Sequence, residues 1–517
     1  MPGEPASQPT PRFRVAIIGG GIAGLTLAVA LGHFAKNSGN TAPPEVHLYE
    51  SGPEITTVGA GISVWPRTWA VMRALGLYDD LSRATVQAMG GGEGGKDEFK
   101  TAFVFRKSNQ PREGYEFGRA MVPNGSTTMH RADMVDVLVK HIPSSCTIHT
   151  SKRLLSYTSA VTDTSGTLVY TLHFADGTTA ETDVIVGGDG IKSKVRAAMY
   201  DSAHARDCAQ DVKREECARC AKATPKWTGT VGYRFLIPSE RMREVNPEHH
   251  ALKVTSPMSY SGKEKHIITY PISHGKYLNW IGFVTISGGE GMTYPHKWVI
   301  DSTQEEVTAH FGGWEPEVDQ MLKLVEKPTL WAIHVIEDLP FAVDGCVALM
   351  GDAVHAMTTH FGAGGGQAIE DAFILGRLLA NPRTTLPLVS SAFQIYQDVR
   401  LPFARTVVND ARKVGLMYEF NWPGLYNSVP LSESEGREEP SEDAMAEETK
   451  QLGELAEAIQ EIWQWQWKEK VEDQWGEVDR RFDQLTKAKH GDAAAAADMK
   501  EDKSEKARRR WSKCTIM

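Results

Sequence analysis

The residues best suited to chemistry in this 517-residue chain fall into three glycine-and-acid groups. Gly19, Gly21 and Gly24 stand in G-x-G-x-x-G spacing. The first glycine permits a tight turn and the second lets a pyrophosphate approach the backbone. The third lets a helix pack against the preceding strand, with its N–H groups aimed at the phosphates. The second group is Gly188-Asp189-Gly190, running on to Arg196, and the third is Gly351-Asp352 with the glycine run 362–366. Glu50, ending the segment EVHLYE, is placed to hydrogen-bond an adenosine ribose, with the polar insert 36–44 lengthening its distance from Gly24.

These residues need elements to hold them. Val15 to Ile18 is a continuous apolar run, as in a parallel strand covered on both faces, and Leu25 to Leu31 reads as the following helix. Glycines at 59 and 61 allow close backbone approach before a helix carrying Val71, Ala74 and Leu75. Residues 130–142 form an amphipathic helix stopped by Pro143, with Arg131 at its start. Asp176-Gly177 marks a hairpin, VIVGGDG a second buried strand, and CVALM a third. Between 227 and 284 the pattern changes to alternating strands rich in aromatic and β-branched residues, as in an antiparallel sheet. Residues 305–327 and 446–487 have helical composition, the latter with a stripe of Leu452, Leu455, Ile459, Trp463 and Trp467.

Composition narrows the class. Apolar content of 41% and charged content of 24% are ordinary for a globular protein, and the net charge of −10 argues against a nucleic-acid partner. Six cysteines in this length fit a reduced, cytoplasmic setting. No apolar run of about 18 residues is present, and the Pro-rich residues 1–12 lack the apolar core of a signal peptide. Gly90 and Gly95-Lys96 imitate a phosphate loop, but Asp97 stands where a metal-binding hydroxyl is needed, so 88–96 reads as a flexible loop. His204, Cys208, Cys217 and Cys220 could hold zinc, but the irregular spacing in a polar stretch reads as a loop, and no metal is expected. Residues 431–445 read as a linker and 493–497 as low complexity.

Taken together, the three motifs resemble the single-component FAD-dependent aromatic hydroxylases, most closely the salicylate hydroxylase-like members, over roughly residues 12–425. The segments YRFLIP, HIITYPI and LN are similar to that family's substrate sheet. The resemblance implies an α/β fold: a Rossmann-type FAD-binding domain (12–85, 120–200 and 335–425) with an inserted antiparallel substrate domain (86–119 and 225–334). A linker, helix and basic tail (431–517) follow. Gly19, Gly21, Gly24 and Glu50 would hold the adenine half of FAD. Gly61, Ser63, Arg131, Asp189 and Asp352 would line the rest, and Gly364, Gly365 and Gly366 would direct N–H groups to the flavin ring. Arg196 would meet the nicotinamide phosphate or a charged intermediate, and His355 is the motif's structural histidine.

The implied reaction is a monooxygenation. NAD(P)H reduces FAD, O2 adds, and a flavin hydroperoxide delivers oxygen to an electron-rich aromatic substrate. Tyr233 is expected to contact a phenol, Arg234 to pair with a carboxylate, and His360 to act beside the flavin. Two rival readings are hydroxylation or epoxidation of a prenylated or polycyclic metabolite, and a non-catalytic flavin-binding interaction protein. Thr359 departs from the family's proline at that position, where a fixed backbone would shape the pocket. Cys514-Thr515-Ile516-Met517 fits C-a-a-X, and Lys506, Arg508, Arg509, Arg510 and Lys513 precede it, so peripheral membrane attachment by a farnesyl chain is expected.

Overall fold

The computed structural model describes residues 12–55, 61–85, 98–161, 168–209, 211–254, 256–426 and 441–489. Residues 1–11, Gly59, the loop 88–96, most of the linker, residues 493–497 and Cys514 with its basic neighbours lie outside them.

The apolar run Arg14–Ile18 is the centre of a six-stranded sheet, flanked by Val184–Gly187 on one side and Glu45–Tyr49 on the other. All pairings in this sheet are parallel except the edge hairpin Val343–Asp344 with Val347–Leu349. Helices Ile22–Asn37 and Gly364–Ala380 pack together over the Val15 and Ile17 side, and the Lys194–Asp207 helix with the strands Leu154–Val161 and Leu168–Phe174 covers the Ala16 and Ile18 side, which explains why the central strand is apolar on both faces. Gly24 is required by this packing, since a Cβ there would lie 2.0 Å from the Gly19 carbonyl oxygen.

Residues 226–335 with 99–123 build an eight-stranded sheet, antiparallel apart from one parallel pairing of Met258–Gly262 with Phe99–Lys107. The stretch 305–327 is two helices, Gln304–Phe311 and Pro316–Leu322, because Gly312 and Gly313 intervene, the latter at φ +79. These helices cover one face of the sheet around Trp280 and Phe311. The expected helix 446–487 is likewise interrupted: Glu442–Trp463 and Trp465–Lys468 precede a further helical stretch at 471–489. Leu452, Leu455, Ile459 and Trp463 are fully buried against Phe103 and Tyr418, so the stripe is packed on the body. Among the described residues, no helix is long and apolar enough to cross a membrane.

Candidate active site

A cavity of about 1140 Å³ separates the parallel sheet from the large sheet. Gly19, Gly21 and Glu50 line it from the first motif, and Asp189 from the second. Asp352, His360, Gly364 and Gly365 line it from the third. Gly61, Ser63 and Arg131 contribute from the Gly61–Val64/Thr127–His130 ladder and the helix start beyond it. Gly24 and Gly366 do not line the cavity; Gly366 instead lets the Thr68 side chain approach.

The wall fits an extended dinucleotide. Gly21 has open space where a Cβ would project, and Gly364 begins a 17-residue helix with no side-chain cap. Both places present free backbone N–H groups to an anion or an electron-rich ring. The Glu50 carboxylate is held by the N–H groups of Gly20 at 2.8 Å and Gly52 at 2.6 Å. Asp352 is exposed to the cavity, suiting hydroxyl groups of a ribityl chain. Asp189 also accepts from Ser193 Oγ at 2.6 Å and from the N–H of Lys194 at 2.6 Å. It thereby caps the Lys194–Asp207 helix. These donors and acceptors are the set FAD requires.

The large sheet supplies the opposite wall through one face. Arg234, Leu236, Asn279, Ile281, Ile268 and Tyr270 all line the cavity, and their cross-strand registers place them side by side. The Arg234 guanidinium lies over the Trp331 ring at 5.2 Å. Among the described residues no acceptor hydrogen-bonds it. Burial lowers its pKa, with Tyr270 opposing and Arg131 adding to the shift. Asn279 is 1% exposed and its Nδ2 has no partner among the described residues. Sequence reasoning missed Asn279 and Tyr270; period-two spacing from Arg234 across neighbouring strands would have reached them.

Two expected site residues lie elsewhere. Tyr233 points to the other face of the sheet, where its hydroxyl donates to Glu306 Oε1 at 2.9 Å. Successive strand residues alternate sides, so Tyr233 and Arg234 cannot both face the cavity. Arg196 is 2% exposed, and its guanidinium donates to the carbonyls of Ala223 and Ala353, each at 2.8 Å, and of Ile191. Three of its five N–H donors are spent on backbone carbonyls and it does not line the cavity, so it is placed to hold the chain rather than to meet a nicotinamide phosphate.

His360 does line the cavity, but not as a base. Burial first, then His266 and Arg412, push its pKa down to about 3, against an opposing Glu419. Its ring lies 5.0 Å from that of His266, whose Nδ1 is 3.0 Å from Glu419 Oε1. Burial lowers His266 to about 3 and raises Glu419 to about 7. Between a neutral His266 and the Glu419 carboxyl the contact carries one proton, and the imidazole tautomer decides which group donates it. His360 Nδ1, His266 Nε2 and Glu419 Oε2 are buried without partners among the described residues.

A second buried network fixes the third motif. Asp371 accepts from the N–H of Gly351 at 3.0 Å, from His355 Nε2 at 2.6 Å and from Arg400 Nε at 2.8 Å. Glu370 binds Arg67 through two bonds, at 2.9 and 2.8 Å, and Arg400 at 2.8 Å. Burial would raise the Asp371 carboxyl, but His355 and Arg400 outweigh it and hold it at about 2. The signal in the sequence was an acidic pair within the apolar helix AIEDAFILG.

The family model described as "FAD binding domain" matches residues 12–213 and 337–411. Salicylate hydroxylase of Pseudomonas putida is 31% identical over 418 residues, 80% of this chain and 87% of that protein. The 6-methylsalicylate 1-monooxygenase of Aspergillus terreus is 34% identical over 412 residues, 79% of this chain and 84% of that protein. A solved salicylate hydroxylase substrate complex superposes with a TM-score of 0.70 at 27% identity, covering 92% of this chain and 98% of that one. With the glycine-lined cavity and its two walls, these similarities place the chain in the family of FAD-dependent aromatic hydroxylases.

Proposed function

We propose that this FAD-dependent monooxygenase hydroxylates a small phenolic acid, using NAD(P)H as reductant. The observation that carries the reading is Arg234: a guanidinium in the cavity wall, stacked on Trp331 and hydrogen-bonded to no described residue. A carboxylate is the ligand such a fork accepts best, through two parallel charge-assisted bonds. Similarity to enzymes named for salicylate and 6-methylsalicylate supports the same substrate class.

When bound and reduced, FAD supplies the two electrons that activate O2; one oxygen atom enters the ring and the other leaves as water. The chain's own residues do the rest. Arg234 holds the carboxylate and so fixes which ring carbon faces the cofactor. Asn279 Nδ2 offers a donor to the phenolic oxygen, on the same sheet face. Ile268, Ile281, Phe283 and Met357 exclude water from the reacting centre. His360 remains neutral and serves as a hydrogen-bonding wall. The N-terminal N–H groups of the Gly364–Ala380 helix would stabilise negative charge on a flavin ring bound beside them.

The test is a panel of hydroxybenzoic acids, the matching phenols without the acid group, and neutral polycyclic phenols. NADH or NADPH oxidation is followed, with product mass measured under labelled O2. Acids are expected to accelerate oxidation most and to gain one labelled oxygen. Turnover of the neutral polycyclic compounds alone would replace this reading with the larger-metabolite one.

A further inference from the structure

We propose that His204, Cys208, Cys217 and Cys220 form a closed, tetrahedral structural site for one zinc ion, outside the FAD cavity. The four residues come from two pieces of chain. His204 lies in the last turn of the Lys194–Asp207 helix and Cys208 follows it, while Cys217 precedes the 3-10 turn that Cys220 opens. None of them lines the cavity. Their ligand atoms all lie within 4.8 Å of one another.

The spacing is that of ligands sharing an ion. Cys208 Sγ is 3.7 Å from Cys220 Sγ and 3.8 Å from Cys217 Sγ. Two thiolates at zinc–sulfur distances of about 2.3 Å, separated by the tetrahedral angle, stand about 3.8 Å apart. A covalent disulfide would need about 2.05 Å.

The histidine is oriented as a ligand is. His204 Nε2 lies 2.8 Å from the Val212 carbonyl oxygen and donates to it, which leaves Nδ1 as the nitrogen with the lone pair. Nδ1 is buried and has no partner among the described residues. A ring N–H fixed on a carbonyl while the other nitrogen faces the metal is the usual outer-shell arrangement.

The position gives the ion a structural role. Cys220 and Ala223 are buried against Met199, Tyr200 and Ala203 of the helix, and the Ala223 carbonyl is one of the three that Arg196 clamps. Three residues later the strand Lys226–Pro238 begins, carrying Arg234. A zinc here would fasten the polar crossover between the Asp189 turn and the substrate sheet. The spacing looks irregular in the sequence because it spans a helix end, where the chain folds back and brings separated side chains together.

The full chain would be purified without chelators from zinc-supplemented medium and its metal content measured. About one zinc per chain is expected for a single four-ligand site. Replacing zinc by cobalt(II) should give the visible bands of a tetrahedral ion and the intense near-ultraviolet absorption of thiolate ligands. The double variant Cys217→Ser/Cys220→Ser, with folding checked by retained FAD, should bind less than a tenth of that metal. Wild-type protein with reduced thiols and no bound zinc overturns the proposal. So does a double variant that keeps its full zinc, or cobalt spectra lacking thiolate absorption. Should the double variant fail to fold, the wild-type cobalt spectrum decides alone.

Discussion

Tyr233 and Arg234 are consecutive on one strand and face opposite sides of it: Tyr233 is tied to Glu306 at 2.9 Å, while Arg234 lies over Trp331 in the cavity wall at 5.2 Å. The two side chains therefore separate substrate binding from sheet packing within a single dipeptide. Arg234→Gln is expected to raise KM for a phenolic acid about 10- to 100-fold, the loss of a charge-assisted pair. The corresponding phenol without its acid group should change little. Tyr233→Phe should leave both KM values within about twofold and cost about 1 kcal/mol of stability, one hydrogen bond. Steady-state kinetics on the matched substrates check both. Equal losses on acid and phenol would remove Arg234 from carboxylate recognition.

The alternation of Val231, Tyr233, Phe235 and Ile237 with Arg234 and Leu236 is legible in that strand, but which of its two faces meets the substrate is not. Residues 227–233 are all buried, because the strand is covered on both faces. Both faces then carry side chains that could serve a pocket, and only the fold chooses between them. The parallel strand Arg14–Ile18 is buried on both faces too, yet there the glycine spacing supplied the direction. Motifs that act through the backbone, such as Gly19-x-Gly21 and Gly364-Gly365, are local and can be read directly. Arg400 reaches Asp371 from another helix, and Glu419 reaches His266 across 153 residues, so only the fold could reveal them.

Asp371 sets the Gly351-Asp352 turn through the Gly351 N–H and holds His355 and Arg400. Asp371→Asn removes the charge that balances Arg400 in a fully buried site. Breaking a buried pair in this way costs about 3–5 kcal/mol. Chemical denaturation of the holoprotein should show that loss, and FAD should dissociate more readily because Asp352 loses its fixed turn. An unchanged denaturation midpoint with unchanged FAD retention would show that the turn holds without Asp371.

Thr359 is the first residue of the 3-10 turn Thr359–Phe361, and the preceding Thr358 lies at φ −62, ψ 149. A first helical position has no intrahelical use for its N–H, and extended backbone before it suits a following proline. The backbone leading into Thr359 is thus one that a following proline accepts. Thr359→Pro should fold with a full complement of FAD and gain about 0.4–1 kcal/mol from the reduced freedom of the unfolded chain. Its preference among phenolic acids should match that of the parent. Loss of FAD or an altered preference would show that the threonine side chain itself shapes the pocket.

Glu419 makes stability depend on pH with a sign opposite to that of an ordinary paired carboxylate. Burial raises its pKa to about 7 in the folded protein, from 4.5 when unfolded. Between those values the folded state binds more protons than the unfolded one. Its contribution is complete below the unfolded pKa and is lost as pH rises through the folded pKa. His266 and His360 act the other way: each is held near 3, so each loses stability as pH falls below the ordinary histidine value. Glu419→Gln keeps a hydrogen-bonding partner for His266 Nδ1, whichever tautomer it adopts, and imitates the protonated acid at every pH. Above about pH 4.5 both histidines are neutral in the folded state of either protein, because losing the Glu419 charge only lowers His360 further, so their terms cancel in the difference. That difference should be smallest near pH 4.5 and should grow in favour of the variant by about 1–3 kcal/mol by about pH 8.5. Urea unfolding of both proteins across this range measures it. A difference that stays flat with pH would mean that Glu419 is ionised in the folded protein throughout, with His266 carrying the compensating proton.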